Sequence, residues 1–143
     1  MKILKLFVFF LCSISLTFYS CGKKGCSDKF ALNYESGVTK DDGTCTYDAD
    51  IMVGNWNVAA SIDDGSNSNF TANITKEDNT HINILWGSTL KYTLKVNINN
   101  KTLSGGISPY FNATFNTVND FLIYDYAYVT GGTPHFGNYH YTR

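Results

Sequence analysis

The chain has 143 residues, of which 43% are hydrophobic, 15% aromatic and 16% charged, and its formal net charge is -1. This length and apolar content are enough to build one domain with its own core, which excludes a purely disordered chain. Removal of residues 1–20, which hold Lys2 and Lys5 and no acid, leaves a charge of about -3. A nucleic-acid partner is therefore not expected, because no basic surface is available.

Residues 1–20 are predicted to be a secretory signal peptide. Lys2 and Lys5 form a positive start, and an apolar stretch without an acidic residue follows. The alternative is a transmembrane anchor, but the apolar run spans about 16 residues and includes Ser13 and Ser15. A bilayer requires about 20 residues, so we expect export rather than a membrane-spanning helix.

Cys21 is the predicted site of lipid attachment. Ser20 and Cys21, followed by the small residue Gly22, resemble the lipobox of bacterial lipoproteins. The resemblance implies cleavage before Cys21 and fatty acylation of that residue, palmitate-type chains included, and several acyl chains hold a protein firmly on a membrane. Gly22 in place of an aspartate favours the outer membrane. The sequence does not indicate whether the protein is on the periplasmic or the external face of that membrane. Ordinary cleavage after Gly22 is the remaining alternative.

Residues 21–49 are predicted to be a tether stapled by a disulfide. Cys26 and Cys45 enclose about 18 residues, and in an exported chain such a pair is expected to be oxidised. Cys12 leaves with the signal peptide and Cys21 carries lipid, which accounts for the remaining cysteines. Closing a loop of this size stabilises it by about 3 kcal/mol.

The stapled segment also resembles a short motif of secreted and surface proteins from Gram-negative bacteria. The matching residues are Gly25, Cys26, Asp28, Ala31, Asn33, Tyr34, Asp41, Asp42, Gly43, Thr44, Cys45 and Tyr47. The resemblance implies a module of exported proteins and no particular activity. A single copy is present here, so we interpret it as a spacer between the lipid and the domain.

Four oxygen-bearing side chains in this segment, Asp28, Asn33, Asp41 and Asp42, are candidate calcium ligands. Their spacing is not that of an EF-hand loop. The alternative is a plain turn, in which aspartate side chains accept hydrogen bonds from backbone amides and Gly43 supplies a positive φ. No other cofactor is expected.

Residues 50–143 are predicted to form an all-β domain. Apolar and polar residues alternate over eight short segments that are separated by turn clusters. These segments are 56–62, 70–75, 82–86, 90–98, 103–107, 111–116, 121–129 and 136–142. Eight sequential antiparallel strands with one apolar face predict a small up-and-down barrel, because closure removes exposed sheet edges.

Gly54 and Trp56 resemble the Gly-x-Trp that opens the barrel of the lipocalins. The resemblance implies that Trp56 plugs one end of the barrel, that Arg143 covers it, and that the other end binds a small ligand. We expect six aromatic side chains to point inward: Trp56, Phe70, Trp86, Tyr92, Phe111 and Phe115. Because an eight-stranded barrel is nearly filled by such residues, we expect a mostly solid core and a small apolar ligand at a shallow mouth.

A second functional hypothesis rests on tyrosines of the last two predicted strands. Tyr124, Tyr126 and Tyr128 share one face, and Tyr139 and Tyr141 are predicted to extend it. Exposed tyrosines suit recognition of an envelope protein, as in an inhibitor or an assembly component. The alternative is cross-strand packing into the core.

No catalytic motif is present, so we do not expect an enzyme. Neither a Gly-x-Ser-x-Gly elbow nor a pair of carboxylates in a glycosidase-like context occurs. His81, His135 and His140 are interpreted as solvated strand histidines. The sequence as a whole predicts a lipid-anchored binding protein of the cell envelope.

Overall fold

The computed structural model describes residues 22–106, 110–117 and 119–143. For Tyr126 and Tyr128 it describes the strand backbone only. The predicted signal peptide and Cys21 lie outside the described residues. The chain divides into two compact units, one of residues 22–29 and 34–45 and one of residues 30–33 and 46–143. No helix within the described residues is long and apolar enough to cross a membrane.

The first unit is held together by the disulfide. Strands β1 (Lys24–Gly25) and β2 (Lys40–Asp41) pair in parallel, and Cys26 bridges to Tyr34. The sulfur atoms of Cys26 and Cys45 are bonded at 2.03 Å, which confirms the predicted pairing. Cys26 is buried, so the disulfide serves as the core of a segment that has few other apolar residues.

The second unit is an all-β barrel preceded by one short helix. Its elements are α1 (Asp48–Met52), β3 (Gly54–Ile62), β4 (Asn67–Lys76), β5 (His81–Trp86), β6 (Thr89–Asn97), β7 (Thr102–Gly105), β8 (Asn112–Thr117), β9 (Asp120–Thr130) and β10 (Thr133–Thr142). The strands are hydrogen-bonded in the order β7-β6-β5-β4-β3-β10-β9-β8, and every pair is antiparallel. The prediction of an eight-stranded antiparallel up-and-down barrel is confirmed.

The seam of the barrel lies between β7 and β8. These two strands lie side by side, but no backbone ladder joins them among the described residues, so the barrel is nearly closed. Gly105 lies against β6, where a Cβ would come within 2.8 Å of the Thr93 carbonyl oxygen. A Cβ on Gly106 would lie 2.9 Å from the Phe111 ring. The two glycines therefore allow close packing beside the seam.

The barrel core follows the predicted period-two alternation. In β3 the side chains of Trp56, Val58 and Ala60 are buried while their neighbours are exposed, and β6 buries Leu94 and Val96 in the same way. The six aromatic residues predicted to face inward do so: Trp56, Tyr92 and Phe115 are buried, and Phe70, Trp86 and Phe111 pack against the core while partly buried. Each fully buried aliphatic side chain contributes about 1.5–3 kcal/mol.

Replacing both Cys26 and Cys45 by serine is expected to open the first unit. Loss of the roughly 3 kcal/mol of chain-entropy stabilisation should speed local opening about a hundredfold. The readout is amide hydrogen exchange of Thr39 and Asp42, whose N–H groups donate to the carbonyl oxygens of Lys23 and Gly25. The barrel amide of Leu94 serves as the internal control, and unchanged protection at Thr39 would contradict this account.

Candidate functional site

One end of the barrel is closed by the residues predicted to plug it. The structure brings Gly54, Trp56 and Arg143 together: the guanidinium carbon of Arg143 lies 4.5 Å from the centroid of the Trp56 ring. Arg143 Nη2 also donates to the Val53 carbonyl oxygen at 2.6 Å. A cation over an aromatic face in this way contributes about 0.5–2 kcal/mol.

Helix α1, which directly precedes β3, also packs at this end of the barrel. Ala49 and Met52 are fully buried, and the Trp56 indole N–H donates to the Met52 carbonyl oxygen at 2.9 Å. That bond satisfies both the buried indole and a carbonyl at the end of the helix. We call this region, formed by α1, Trp56 and Arg143, the plugged end.

The register of the strands defines the opposite end. Strand β3 runs from Gly54 at the plugged end to Ile62, which pairs with Gly137, and Gly137 in turn pairs with Asp125. Among the described residues no helix covers this region. We call it the open end, and its inner residues are Phe70, Trp86, Tyr92, Phe111, Asp125 and Tyr139.

Aromatic rings at the open end are in contact but incompletely buried. The Trp86 ring centroid lies 4.8 Å from that of Phe70 and 4.9 Å from that of Tyr139. Tyr92 packs against Phe111 with centroids 5.5 Å apart. Phe70, Trp86 and Phe111 each keep part of their surface accessible. This differs from the plugged end, where Trp56 is covered on every side.

Asp125 is the one buried charged side chain among the described residues, with 4% of its surface exposed. It continues the inward phase of β9 after Phe121 and Ile123, both fully buried. Asp125 Oδ1 and the Tyr92 hydroxyl are both buried, and neither makes a hydrogen bond of good geometry. Burial of such groups without partners is unfavourable, so an interior that holds both of them is unusual for a β-barrel core.

The tyrosine hydroxyls of the interior stay protonated in the folded state. Burial raises the pKa of Tyr92, and the nearby charge of Asp125 raises it further. The same two causes, in the same order, raise the pKa of Tyr139. Burial also raises the pKa of Tyr141, partly offset by the Trp86 indole N–H, which donates to its hydroxyl at 3.0 Å.

A lysine ammonium lies over the aromatic rings of the open end. Lys91 Nζ is 4.9 Å from the Trp86 ring centroid and 5.4 Å from that of Tyr92. Beside it is a surface hollow of about 240 Å³ lined by Leu90, Lys91, Tyr92, Thr93 and Gly106. The faces of the Trp86 and Tyr92 rings therefore contact a cation within the protein itself.

The predicted tyrosine face is only partly present. Tyr124 is 39% exposed on the outer side, as expected, whereas the prediction is wrong for Tyr139 and Tyr141, which are 3% and 0% exposed. Tyr139 is paired between Ala60 and Ile123, and Tyr141 between Val58 and Phe121, so both occupy the inward phase. The side chains of Tyr126 and Tyr128 lie outside the described residues.

Two other aromatic residues join Tyr124 on the outside. The Phe136 ring lies 5.9 Å from Tyr124 and 5.0 Å from Tyr110, which is more than half exposed. We call Tyr110, Tyr124 and Phe136 the outer aromatic patch. Sequence alternation did not indicate it, because Tyr110 lies outside the strands and the neighbours of Phe136 depend on its pairing with β9.

The candidate calcium ligands are engaged in turns. Asp41 accepts hydrogen bonds from the Gly43 amide and the Ser27 hydroxyl, both at 2.8 Å, and these bonds, the Gly43 amide first, lower its pKa. Asp42 Oδ1 accepts from the Thr44 amide at 3.1 Å. Gly43 has a φ of 76°, as the turn interpretation predicts.

The other two candidate ligands belong to different units. Asn33 belongs to the second unit, where its side-chain oxygen accepts a hydrogen bond from the Thr46 amide at 2.8 Å. Asp28 belongs to the first unit, just before the turn at Lys29. Within the described residues no three acidic, histidine or cysteine side chains are grouped as metal ligands.

The three histidines lie in separate surface pairs with aspartates. The distances are 2.8 Å for His81 Nδ1 to Asp78, 2.9 Å for His135 Nδ1 to Asp63 and 2.7 Å for His140 Nε2 to Asp120. Backbone and side-chain hydrogen bonds, above all from the Thr80 amide, lower the pKa of Asp78 to about 2. The pair of His81 and Asp78 is local, whereas His135 and His140 of β10 pair with Asp63, which follows β3, and with Asp120 of β9.

No protein-family model matches the chain, and no curated protein matches it. Among solved structures, the chain is similar to a redesigned β-barrel at 12% sequence identity and a TM-score of 0.37. The similarity covers 68% of this chain and 96% of the redesigned barrel.

Alkaline titration should separate the interior tyrosines from unfolded ones. Because the pKa values of Tyr92 and Tyr141 are raised above the usual value of about 10, the folded protein binds more protons than the unfolded protein above that pH. The free energy of unfolding is therefore expected to fall as the pH rises beyond about 10.

The measurement is phenolate absorbance at 295 nm, recorded over the same pH range as far-ultraviolet circular dichroism. We expect a fraction of the phenolate absorbance to appear only when β-structure is lost. We expect Tyr92→Phe to reduce that fraction. Complete phenolate formation before any loss of β-structure would contradict the expectation.

Proposed function

We propose that this protein is a lipid-anchored binding protein of the cell envelope whose barrel holds a small apolar ligand at its open end. The observation that carries the proposal is the contrast between the two barrel ends. Trp56 and α1 close one end, while Phe70, Trp86 and Phe111 at the other keep accessible aromatic surface. Small-ligand sites are typically apolar mouths with a few polar groups of this kind.

The size of the barrel limits the ligand. Eight strands enclose an interior that side chains almost fill, so one small molecule near the mouth is the largest guest we expect. Aromatic faces offer such a molecule a large apolar contact, and Asp125 with the Tyr92 hydroxyl supplies polar groups.

The seam supports a route of entry. Because β7 and β8 are not joined by a described backbone ladder, their separation would break fewer hydrogen bonds than separation of any other neighbouring pair. Phe111, which packs on Tyr92 and beside Gly106, lies at this seam. A small outward movement of Phe111 would therefore enlarge the mouth without disturbing the rest of the barrel.

The anchoring part of the proposal rests on the sequence and on the disulfide. The Ser20-Cys21-Gly22 boundary provides the attachment site, and a bonded Cys26–Cys45 pair suits the oxidising compartments outside the cytoplasm. In this arrangement most residues of the first unit lie between Cys21 and the barrel strands along the sequence.

Ligand binding can be located with the two tryptophans, which lie at opposite ends of the barrel. The indole N–H of Trp86 donates to Tyr141, and that of Trp56 donates to Met52, so each gives its own signal in a nitrogen-correlated NMR spectrum. On titration of the full chain with 2-phenylethanol, we expect the Trp86 signal to shift with a Kd of about 1 mM or lower, in keeping with so small a ligand. The Trp56 signal should stay in place.

The same titration distinguishes a second candidate function. The outer aromatic patch favours a protein-interaction role, since its rings are in contact and those of Tyr110 and Tyr124 are exposed. Shifts confined to Tyr124 and Phe136 would support that role and contradict a site at the open end. Tyr124→Ser is the matched control, because it alters the outer patch and should leave the Trp86 response unchanged.

Intact mass spectrometry tests the anchor. In the membrane fraction of a bacterial host, we expect a mass that lacks residues 1–20 and includes acyl chains, and we expect Cys21→Ser to abolish the acylation. A soluble, unacylated product that begins at Lys23 would show ordinary secretion instead.

A further inference from the structure

The feature that can define the chemistry of the ligand is the buried carboxylate of Asp125 at the open end, which has one unsatisfied oxygen. Asp125 is 96% buried, and none of the salt bridges among the described residues involves it. Its Oδ1 and the Tyr92 hydroxyl both lack a hydrogen bond of good geometry, although Tyr92 lies close enough to interact with the carboxylate and Tyr139 close enough to feel its charge. One oxygen of a buried carboxylate and a buried hydroxyl beside it can therefore both take a further hydrogen-bond partner.

The chemistry of that partner follows from the surrounding groups. An anionic ligand would be repelled by Asp125, and a neutral ligand would leave its charge uncompensated. A metal ion requires several oxygen ligands, whereas no group of three candidate ligands occurs in the described part of the chain. An ammonium group fits, because it can donate hydrogen bonds to a carboxylate and to a tyrosine oxygen together.

The aromatic rings favour the same kind of group. Trp86 and Tyr92 already have the Lys91 ammonium over their faces, at 4.9 and 5.4 Å. A cationic ligand would gain the same attraction from these electron-rich faces. Its apolar part would then contact Phe70 and Phe111, whose rings are partly accessible.

Resting on the proposed function of the open end, we propose that its ligand is a small organic amine whose ammonium group pairs with Asp125 while its apolar part packs on Trp86, Tyr92 and Phe111. Asp125 then sets the specificity of the site for cations, and the aromatic rings supply the contact area. Lys91 competes with the ligand, because it occupies the same ring faces and carries the same charge.

Three matched probes test this specificity on the wild-type full chain: 2-phenylethylamine, 2-phenylethanol and 3-phenylpropanoate. They share a phenyl ring and a short linker and differ mainly in charge. With the Trp86 indole signal as readout, we expect the amine to bind at least tenfold more tightly than the alcohol. The carboxylate should bind more weakly than both.

The variants then assign the discrimination to one side chain. Asp125→Asn keeps the shape of the residue and removes its charge, so the ratio of amine affinity to alcohol affinity should fall at least tenfold, to about one. Asp120→Asn is the matched control, since Asp120 lies on the same strand, is partly exposed and pairs with His140. Lys91→Met removes the competing charge and should raise the ratio of amine affinity to alcohol affinity.

Each outcome separates this inference from the proposed function. Equal affinities for amine and alcohol at Trp86, or an amine preference that survives Asp125→Asn, would overturn the amine assignment and leave a neutral ligand site in place. If no probe shifts the Trp86 signal, the open-end site itself is wrong, and the inference falls with it.

The melting temperature of Asp125→Asn gives a further readout: we expect it to equal or exceed that of the wild type. A lower melting temperature together with an unchanged amine preference would assign Asp125 a purely structural role.

Discussion

The pairing of β3 with β10 is the constraint on which the rest of the barrel depends. This pairing joins the first barrel strand to the last, and it places Arg143 near Trp56 at one end and Gly137 beside Ile62 at the other. Because the sheet closes here, its remaining discontinuity falls between β7 and β8. The barrel therefore has one end that is well packed and, between β7 and β8, a seam beside which Phe111 packs.

Side-chain phase explains which parts of the fold could be predicted from sequence. Strict alternation in β3 and β6 identified both the strands and their inner faces, because one phase is apolar and the other polar. In β10 the inward positions hold Tyr139 and Tyr141, and tyrosine suits either a core or a surface. Only the partners across the sheet, such as Ile123 and Phe121, decide the question, and the sequence does not specify these pairings.

The candidate site was harder to predict because its central residue breaks the usual rule for burial. Charged residues are rarely buried, so an aspartate in a strand is normally assigned to the outer face. Phe121 and Ile123 at the two preceding odd positions do indicate that Asp125 points inward. That signal was available, but it conflicts with the chemistry of the side chain. Conflicts of this kind between pattern and residue type are expected at functional sites.

The surroundings of Asp125 explain how the fold accommodates it. Gly137 lies opposite Asp125 in the ladder, and a Cβ there would come within 2.7 Å of the Tyr139 ring. The missing side chain thus leaves room for Tyr139 to pack across β10, close to the carboxylate. Below this layer, Phe121 stacks on Tyr141 at 4.4 Å and meets Trp56 at 5.0 Å, so a dense aromatic core supports the open end. The stability that the plugged end and this core provide offsets the unfavourable burial of the Asp125 carboxylate, whose Oδ1 lacks a hydrogen bond of good geometry.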